Sequence, residues 1–447
     1  MVDFIKELNI EGCDVYVVGG YVRDNLMRVY HDFNSDPKDV DLCIVNKNLD
    51  SIGNILEKFG KVKKVGKSFG IITFKPFVQF NNFTEFDVAV PRKEISTGFG
   101  YRDFDIDHGK HISLKEDLIR RDFTINAMAY KLNNLNDLNF LDNFTVDNLV
   151  DVSNGFEDLK NKIIKAVGEP YERFKEDGTR ILRGLRQCVK LNFKIDDNTF
   201  ESIKDNLNFL EDILKDAPVR VTNELLRLIN SNNYDNIDLL YSSGIYKMFN
   251  FLENLKEINK EKFYELSLPS KLFILVNKDN FIEDNKNLEN WIKKYDLTAC
   301  PFITKNQVNV LRGLFKGYKF IKENQNIIEK DMNYMSSKFC VTVDKNLFST
   351  LNKDYFYELF KILDYYFYNM SILKKFIDKV ISKYTMPRSE AQLLVTGYDL
   401  MKNKVKSKDI GHFKKSILEA ILKEECGWSK EDQITYMNKI TNVYLNL

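Results

Sequence analysis

The sequence predicts an α/β head, a small mixed sheet with helices, followed by an all-α remainder. Two patterns support this fold class. In the first third of the chain, short apolar runs alternate with segments of helical period. From about residue 155, helical period with charged outer faces dominates, and the whole chain has only 8 prolines. With 447 residues, of which 44% are hydrophobic, the chain can form two to four modules with their own cores.

The spacing of apolar residues predicts the individual elements. We predict strands at residues 15–18, 40–45, 62–65, 71–74 and 86–90, and helices at 21–30, 49–59, 176–189, 199–207 and 221–229. Residues 93–110 are rich in Gly, Asp and aromatic residues, which predicts a mobile loop. The Asn-rich stretches 132–143 and 277–290 are predicted to be loops or linkers.

Composition limits the classes of function. No run of about eighteen apolar residues offers a membrane span, and the N-terminus lacks the pattern of a secretory signal. The 6 cysteines are scattered without a CxxC pair, which favours a reducing cytoplasm over disulfides or zinc. The 4 histidines supply little histidine-based chemistry. Because the net charge is +1, a nucleic acid would have to bind a local basic surface.

The first candidate site element is GGYVRD, residues 19–24, between a predicted strand and a predicted helix. Gly19 and Gly20 would let the backbone approach a phosphate, and the helix N-terminus that follows favours an anion. Arg23 would add a charge-assisted hydrogen bond. An ordinary turn is the alternative interpretation.

The second element is DVDL, residues 39–42, on a predicted strand. Residues two apart on a strand point to the same face, so Asp39 and Asp41 can hold shared or adjacent Mg²⁺ ions. Such a site can activate a hydroxyl and neutralise a triphosphate. Asp87, on a later strand beside Glu85, is a third acid that a neighbouring strand could bring to this pair. Solvated aspartates on an edge strand are the alternative.

The third element is DLIRRDFTINAMAY, residues 117–130. Arg120, Arg121 and Asp122 precede an apolar stretch that we predict to be helical. An arginine can bind phosphate or ribose, and an aspartate can accept a hydrogen bond from a sugar hydroxyl. The alternative is that Asp122 caps a helix and both arginines are surface residues.

The fourth element, RFKEDGTRILRGLRQ, concerns specificity. Asp177, Arg180, Arg183 and Arg186 recur at every third residue, which on a helix places them along one stripe. An Asp and an Arg one turn apart can pair with the Watson–Crick edge of C or A, where the carboxylate accepts from the exocyclic amine. U and G present a carbonyl there and would be rejected. Arg183 and Arg186 would then reach the triphosphate. A salt-bridged helix face is the alternative.

Taken in order, these segments resemble the class II tRNA nucleotidyltransferases and the related bacterial poly(A) polymerases. The resemblance covers residues 14–230 and resumes in the C-terminal segments LLVTGYDLMKNKV and KDIGHFKKSILEAIL. The first part rests on GGYVRD, DVDL, PRKEISTGFGYRDF, DLIRRDFTINAMA, DVSNGFEDLKNKIIKAVG and EDGTRILRGLRQ. Each segment alone is weakly specific, but six in this order are very specific.

The resemblance implies a catalytic head (1–145) and an all-helical neck (146–215), body (216–330) and tRNA-binding tail (331–447). It implies addition of CCA to tRNA 3′ ends from CTP and ATP with Mg²⁺, in the cytoplasm, with no membrane and no obligatory protein partner. Asp39 and Asp41 match the metal carboxylates; apart from the resemblance, we predict Asp87 as a further catalytic acid, with a surface role as the alternative. The implied nucleotide-binding residues are Gly19, Gly20, Arg23, Arg121, Asp122, Asn126, Asp177, Arg180, Arg183 and Arg186.

Two departures and three alternatives accompany the resemblance. Gly184 stands where the family usually has Ala, and the family's ERI segment reads VRV at 219–221, which keeps Arg220 but loses the acid. A poly(A) polymerase is one alternative, although VGKSFGIITF (65–74) lacks the histidine usual in those relatives. A CC-only or A-only enzyme is another, although the loop at 98–104 argues against CC-only. A catalytically inactive RNA-binding protein is the third, but Asp39 and Asp41 are both present.

Overall fold

A computed structural model describes residues 3–31, 39–65, 70–80, 83–96, 104–108, 112–231, 237–277, 285–328, 330, 358–359, 361–362, 375, 390, 393–422, 425–427 and 429–445. The chain forms two compact units, Met1–Phe249 and Asn250–Leu447. The predicted head, neck and first part of the body all lie in the first unit. The division into four domains stays a prediction.

The first unit is built on a seven-stranded mixed sheet in the order β3-β4-β5-β2-β1-β8-β9. Strands β2 and β5 are parallel, whereas the other neighbouring pairs are antiparallel. Two smaller sheets pair β6 with β7 and β10 with β11. The strands are β1 Asp14–Val18, β2 Val40–Val45, β3 Gly60–Val65, β4 Ile71–Pro76, β5 Phe86–Ala89, β6 Arg92–Ser96, β7 Phe104–His108, β8 Met128–Leu132, β9 Leu149–Asp151, β10 Ile163–Ile164 and β11 Lys194–Ile195.

The helices of the first unit are α1 Phe4–Ile10, α2 Gly20–His31, α3 Leu49–Leu56, α4 Leu114–Ile119, α5 Phe140–Asn143, α6 Gly155–Lys160, α7 Pro170–Glu176, α8 Thr179–Leu191, α9 Asp197–Asp205, α10 Leu207–Asp216, α11 Pro218–Ile229 and α12 Asp238–Ser242. Helices α1, α2 and α3 contribute to the main core on one face of the large sheet.

The two faces of the large sheet have different surroundings, because successive side chains on a strand point to opposite faces. Leu42, Phe74 and Phe86 belong to the main core, where helices α1, α2 and α3 also contribute. For example, the Phe4 ring of α1 lies 5.0 Å from the Phe74 ring, edge to face. On the opposite face a smaller cluster forms where α4 packs over part of the sheet, including Cys43. Asp41, Asp87 and Thr73 lie on the same second face, beyond this cluster.

The predicted fold class is confirmed, since a mixed sheet with helices precedes a mostly helical region. Three local predictions are wrong. Part of the predicted mobile loop at 93–110 forms the β6–β7 hairpin, and residues 97–103 and 109–111 lie outside the described residues. The apolar stretch after Asp122 forms a 3-10 turn, Thr124–Asn126, and then strand β8. The Asn-rich stretch 132–143 contains a 3-10 turn and helix α5, because Leu135, Leu138 and Phe140 are buried.

The helix predicted at 176–189 is also wrong at its start, because the chain breaks between α7 and α8. Asp177 has extended backbone angles (φ −152°, ψ 101°), and α8 begins at Thr179. A Cβ on Gly178 would lie 2.4 Å from the backbone oxygen of Phe209, so the close approach of α10 requires glycine there. This contact between distant segments lies beside the break, and helical periodicity does not reveal it.

The second unit is helical throughout its described residues. Helix α14 is completely buried, and its Phe273 ring packs 4.6 Å from the ring of Phe315 on α16. The Asn-rich stretch 277–290 is partly helical, since α15 begins at Asn285, while 278–284 lie outside the described residues. The helices are α13 Lys260–Tyr264, α14 Leu268–Asn277, α15 Asn285–Lys294, α16 Lys305–Ile328, α17 Gly397–Lys402, α18 Ile410–Leu422 and α19 Lys430–Leu445. Among the described residues, no helix has the length and apolar character needed to cross a membrane.

Candidate nucleotidyl-transfer site

The predicted carboxylates form a row on the partly open face of the sheet. Asp41 of β2 lies directly opposite Asp87 of β5 in the parallel register, and both side chains are exposed. Thr73 of β4 lies opposite Asp87, and its hydroxyl donates to Asp87 Oδ1 at 3.0 Å. Asp39 is exposed immediately before β2. The sheet therefore brings together acids that are 46 positions apart in the chain, Asp41 and Asp87.

The negative charges of the carboxylates in this row repel one another. Asp41 keeps contact with solvent, yet partial burial among neighbouring groups raises its pKa above the ordinary value. Arg121 opposes this rise, whereas the nearby charges of Asp87 and Asp39 add to it. A cation placed against the row would relieve the repulsion.

These residues fit a hard divalent cation that keeps several ligands from outside the protein. Within the described ranges, no group of three or more His, Cys, Asp or Glu residues is gathered closely enough to hold a metal ion by itself. Mg²⁺ is usually bound by one or two carboxylates, with water and substrate phosphates completing its shell. Asp39 and Asp41 supply such carboxylates on an exposed edge. Metal binding by these two residues stays a prediction.

The Gly-Gly turn lies beside this row, between β1 and α2. Gly19 has a positive φ of 71°, and a Cβ there would lie 2.8 Å from Arg121 Nη1. Glycine is therefore required both by the backbone conformation and by the guanidinium against it. Arg121 is held by Asp117, at 3.1 Å from Nη2. Its Nε is buried without a hydrogen-bond partner among the described residues, so an oxygen of a ligand would satisfy it.

Arg23, on the first turn of α2, is not a free cation. Its Nε donates to Asp24 at 2.7 Å and its Nη1 to Asn126 Oδ1 at 2.6 Å. Asn126 is buried and in turn donates to Asp122 at 3.1 Å and to Gln187 of α8 at 3.2 Å. Asn126 thus connects three segments of the first unit and orients Arg23.

Asp122 is buried and anchors Arg183 of the helix α8. Its Oδ2 accepts from Arg183 Nε at 3.0 Å and from Nη2 at 2.7 Å, and its Oδ1 accepts from the amide of Phe123. Burial alone would raise the pKa of Asp122, but the Arg183 charge and these hydrogen bonds lower it to about 2. Asp122 therefore remains ionised, and it does not cap a helix.

Glu224 of α11 is the second acid beside the α8 arginines. Its Oε2 accepts from Arg186 Nε at 2.6 Å, and its Oε1 lies 3.5 Å from Arg183 Nη1. Burial lowers the pKa of Arg186, and Glu224 opposes that effect. Both arginines thus already have carboxylate partners. Their predicted contact with a triphosphate stays a prediction.

The residues predicted to pair with a base lie at the break between α7 and α8. Asp177 precedes the helix, so it does not continue the stripe of arginines as the sequence spacing predicted. Its Oδ1 accepts from the Thr179 amide at 3.0 Å and hydroxyl at 2.7 Å, and its Oδ2 accepts from Arg220 at 2.6 Å. Arg220 of the VRV segment therefore keeps a contact with Asp177 although the family's acid is lost.

Arg180 is held by the last turn of α7. Its Nη1 donates to Glu176 at 2.5 Å and to the Arg173 carbonyl at 3.2 Å, and its Nη2 donates to the Arg120 carbonyl at 3.1 Å. With 11% of its side chain exposed, it is a constrained arginine and not a surface one. The pair Asp177 and Arg180 is thus oriented by separate sets of partners.

Sequence reasoning missed several residues that support the site. The Asp117 carboxylate is buried beside Arg120 and Arg121; burial would raise its pKa, but the two arginines lower it. Asp117 lies three and four positions before the two arginines, a spacing that places charges together on a helix and could have revealed this residue. The same spacing could have revealed Glu176. Thr73, Gln187 and Glu224 carry no such local signal, because their partners are distant in sequence.

Comparison with known proteins agrees with the fold and the order of the motifs. Residues 15–165 match a model described as the poly A polymerase head domain. Residues 192–256 match a model described as "Probable RNA and SrmB- binding site of polymerase A". A CCA-adding enzyme of Staphylococcus epidermidis is 33% identical over 271 residues, 60% of this chain and 56% of the relative. One from Enterococcus faecalis is 29% identical over 368 residues, 78% of this chain and 80% of the relative.

Solved structures support the same fold. The Bacillus stearothermophilus CCA-adding enzyme in complex with CTP matches with a TM-score of 0.66 at 18% identity, over 99% of this chain and 97% of that chain. The Thermotoga maritima enzyme complexed with tRNA matches with a TM-score of 0.53 at 20% identity, over 99% of this chain and 94% of that chain. At these identities the likeness concerns the fold. Together with the ordered motifs, these findings show that the chain contains a poly A polymerase head domain and is similar to CCA-adding enzymes over more than half of its length.

Proposed function

We propose that this protein adds CCA to the 3′ end of tRNA, using CTP and ATP and releasing pyrophosphate. One observation carries the proposal: the Asp41–Asp87 row, the Gly19 turn and the constrained pair Asp177 and Arg180 belong to one compact unit. These are the parts that template-independent nucleotide addition requires. The CCA-adding relatives, and their structures with CTP, ATP and tRNA, support the choice of substrates.

The carboxylate row would act on the RNA hydroxyl and the α-phosphate. Asp39 and Asp41 would hold Mg²⁺, which when bound neutralises triphosphate charge and favours ionisation of the hydroxyl. The terminal 3′ oxygen attacks the α-phosphorus in line; its bond to phosphorus forms as the bond to the bridging oxygen of pyrophosphate breaks. The hydroxyl proton leaves to water or to Asp87. Positioning and charge neutralisation account for most of the rate gain.

The triphosphate would lie at the turn between β1 and α2. The absence of a Cβ on Gly19 leaves room for Arg121, whose buried Nε lacks a partner among the described residues. A phosphate or sugar oxygen would satisfy this donor, and Arg23 at the start of α2 would add charge. Arg23 is already oriented by Asn126, so it would lose little freedom on binding.

Base selection would depend on the Asp177 carboxylate. Three hydrogen bonds from Thr179 and Arg220 occupy its oxygens, and two carboxylate oxygens together accept roughly four. The remaining position on Oδ2 suits an amine proton of C or A and repels the carbonyl of U or G. Arg180 would donate to the neighbouring ring acceptor.

The scattered cysteines are consistent with action in a reducing cytoplasm.

The test is an incorporation assay with purified protein, Mg²⁺ and tRNAs that end before C, after C and after CC. We expect three-nucleotide addition that stops, with CTP and ATP alone being used. Long A tracts on unrelated RNA would instead indicate a poly(A) polymerase. A stop after CC, or activity on CC-ended tRNA alone, would indicate a CC-only or A-only enzyme, and no incorporation would favour an RNA-binding protein.

A further inference from the structure

One lysine ends the carboxylate row at the edge of the sheet, and a second lysine lies beside it in the next row. In the register of the strands, Lys63 of β3 lies opposite Thr73, Thr73 lies opposite Asp87, and Asp87 lies opposite Asp41. Residues directly opposite each other on neighbouring strands point to the same face. Lys61 precedes Lys63 by two positions and shares its face. The face that carries the acids therefore ends in lysines.

Burial confirms this orientation. Val62, between the two lysines, packs against the main core on the helix-covered face, whereas Lys61 and Lys63 are exposed. In the next row, Lys61 lies opposite Lys75, and the nearby acid Glu85 pairs with Lys75 at 2.6 Å. Within the part of the chain that the structure describes, no carboxylate pairs with Lys61 or Lys63. These two cations thus contrast with the arginines of α8, which are bound by protein groups.

The in-line geometry of nucleotidyl transfer indicates which substrate the two lysines would contact. The groups suited to a triphosphate, Gly19 and Arg121, lie on the β1 side of the row. The attacking oxygen must approach the α-phosphorus opposite the departing pyrophosphate. The RNA end would then arrive from the β5–β4–β3 side. Lys63 is two strands beyond Asp87, or about 10 Å at ordinary strand spacing.

We infer that Lys63 and Lys61 form a binding surface on strand β3 for backbone phosphates of the RNA 3′ end. This inference rests on the proposed function, because the position of the triphosphate defines the side from which RNA arrives. The occupant is an RNA backbone, since two exposed cations without a carboxylate partner among the described residues complement phosphates, which are the usual contacts of lysine in RNA and DNA binding. The surface would position the terminal hydroxyl near Asp87.

The test compares wild type with Lys63→Gln and with the double variant Lys61→Gln, Lys63→Gln. Binding of a fluorescent tRNA lacking CCA is measured by anisotropy at several salt concentrations, and KM is measured separately for tRNA and CTP. We expect roughly three- to tenfold weaker tRNA binding for each lysine, with the salt slope falling by about one per lysine. The KM for tRNA should rise likewise, while the KM for CTP should stay unchanged.

Two further variants make the result specific. Lys63→Arg keeps the charge and should restore tRNA affinity. Lys6→Gln removes an exposed lysine from α1, the helix that packs on the opposite face through Phe4, and should leave tRNA affinity unchanged. Equal tRNA affinity and salt slope in wild type and the double variant would overturn the inference, as would a change confined to the KM for CTP.

The proposed function and the proposed RNA-binding surface can be refuted independently of each other. Failure of wild type to extend any tRNA with CTP and ATP would refute the proposed function. The anisotropy measurement needs no turnover, so it would still decide whether Lys61 and Lys63 bind RNA.

Discussion

The carboxylates of the head sheet and the arginines of α8 have opposite surroundings. Asp41 and Asp87 are exposed, and their mutual repulsion contributes to the raised pKa of Asp41. The α8 arginines singled out by the sequence are each held by an acid, with Asp122 and Glu224 buried between them. The negative charge of the sheet carboxylates is therefore available for a ligand to neutralise. The positive charges of the α8 arginines are already neutralised by protein carboxylates. Substitutions of the sheet carboxylates should therefore change activity, and substitutions in the arginine network should change stability.

The largest expected effect is on activity at the exposed row. Asp41→Asn should lower nucleotide incorporation about a thousandfold, since the carboxylate would no longer bind a metal that supplies several kcal/mol. Because the folded protein disfavours the Asp41 charge, the urea midpoint should stay the same or rise slightly. Asp205→Asn, on the exposed surface of α9, is the control and should leave both quantities unchanged. A large loss of stability in Asp41→Asn would break the contrast between the two regions.

The second expected effect is on stability in the arginine network. Asp122→Ala should lower the free energy of unfolding by roughly 3 kcal/mol, because it leaves the Arg183 charge without its main partner. Urea denaturation measures this loss. Asp212→Ala removes an exposed partner of Lys215 and should cost less than about 0.5 kcal/mol. Similar losses in the two variants would show that the buried network contributes little.

The third expected effect is the pH dependence of the same network. The pKa of Asp122 is lowered from 3.8 to about 2 in the folded protein, so its contribution is fully present above about pH 4 and disappears as the pH falls towards 2. The difference in unfolding free energy between wild type and Asp122→Asn should therefore shrink by about 2 kcal/mol across that window. Urea titrations of both proteins at stepped pH values measure it. A constant difference would contradict the lowered pKa.

The smallest expected effect concerns the glycine that departs from the family pattern. A Cβ on Gly184 would lie 2.8 Å from Cζ of the buried Phe123 ring, so overpacking opposes the gain in helix propensity. Gly184→Ala should lower the free energy of unfolding by about 1 kcal/mol. Gly53→Ala in α3 is the matched control, since its nearest neighbours would be 3.8 Å away, and should gain up to about 1 kcal/mol. Thermal denaturation of both variants would decide between the two effects.

The local sequence was sufficient to predict those elements whose structure depends mainly on residues close together in the chain. The strands β1, β2 and β5 and the helices α2 and α11 follow from apolar runs and apolar periodicity in the local sequence. The alternation in DVDL likewise placed Asp41 on the polar face of its strand. Strand β8 was missed since both of its faces are buried, so its apolar run has no period of two.

The sequence motifs named residues that contact one another in the structure, but they did not predict the contacts, and the roles of these residues stay a prediction. The motifs identified Asp122, Arg183 and Arg186, yet nothing in their spacing revealed that Glu224 of α11 lies between the arginines. The predicted stripe failed at Asp177, because this residue has extended backbone angles and α8 begins only at Thr179.

The sequence by itself determined the α/β head with its helical remainder, the order of the motifs and the chemical types available to the site. These depend on side-chain identity and on periodicity within about one turn or one pleat. Tertiary structure alone decided that Asp87 joins Asp41, that Thr73 and Lys63 continue their row, and that the α8 arginines are already paired. Strand order, register and helix packing set these contacts, because they bring together residues whose separation along the chain carries no information about their distance in space.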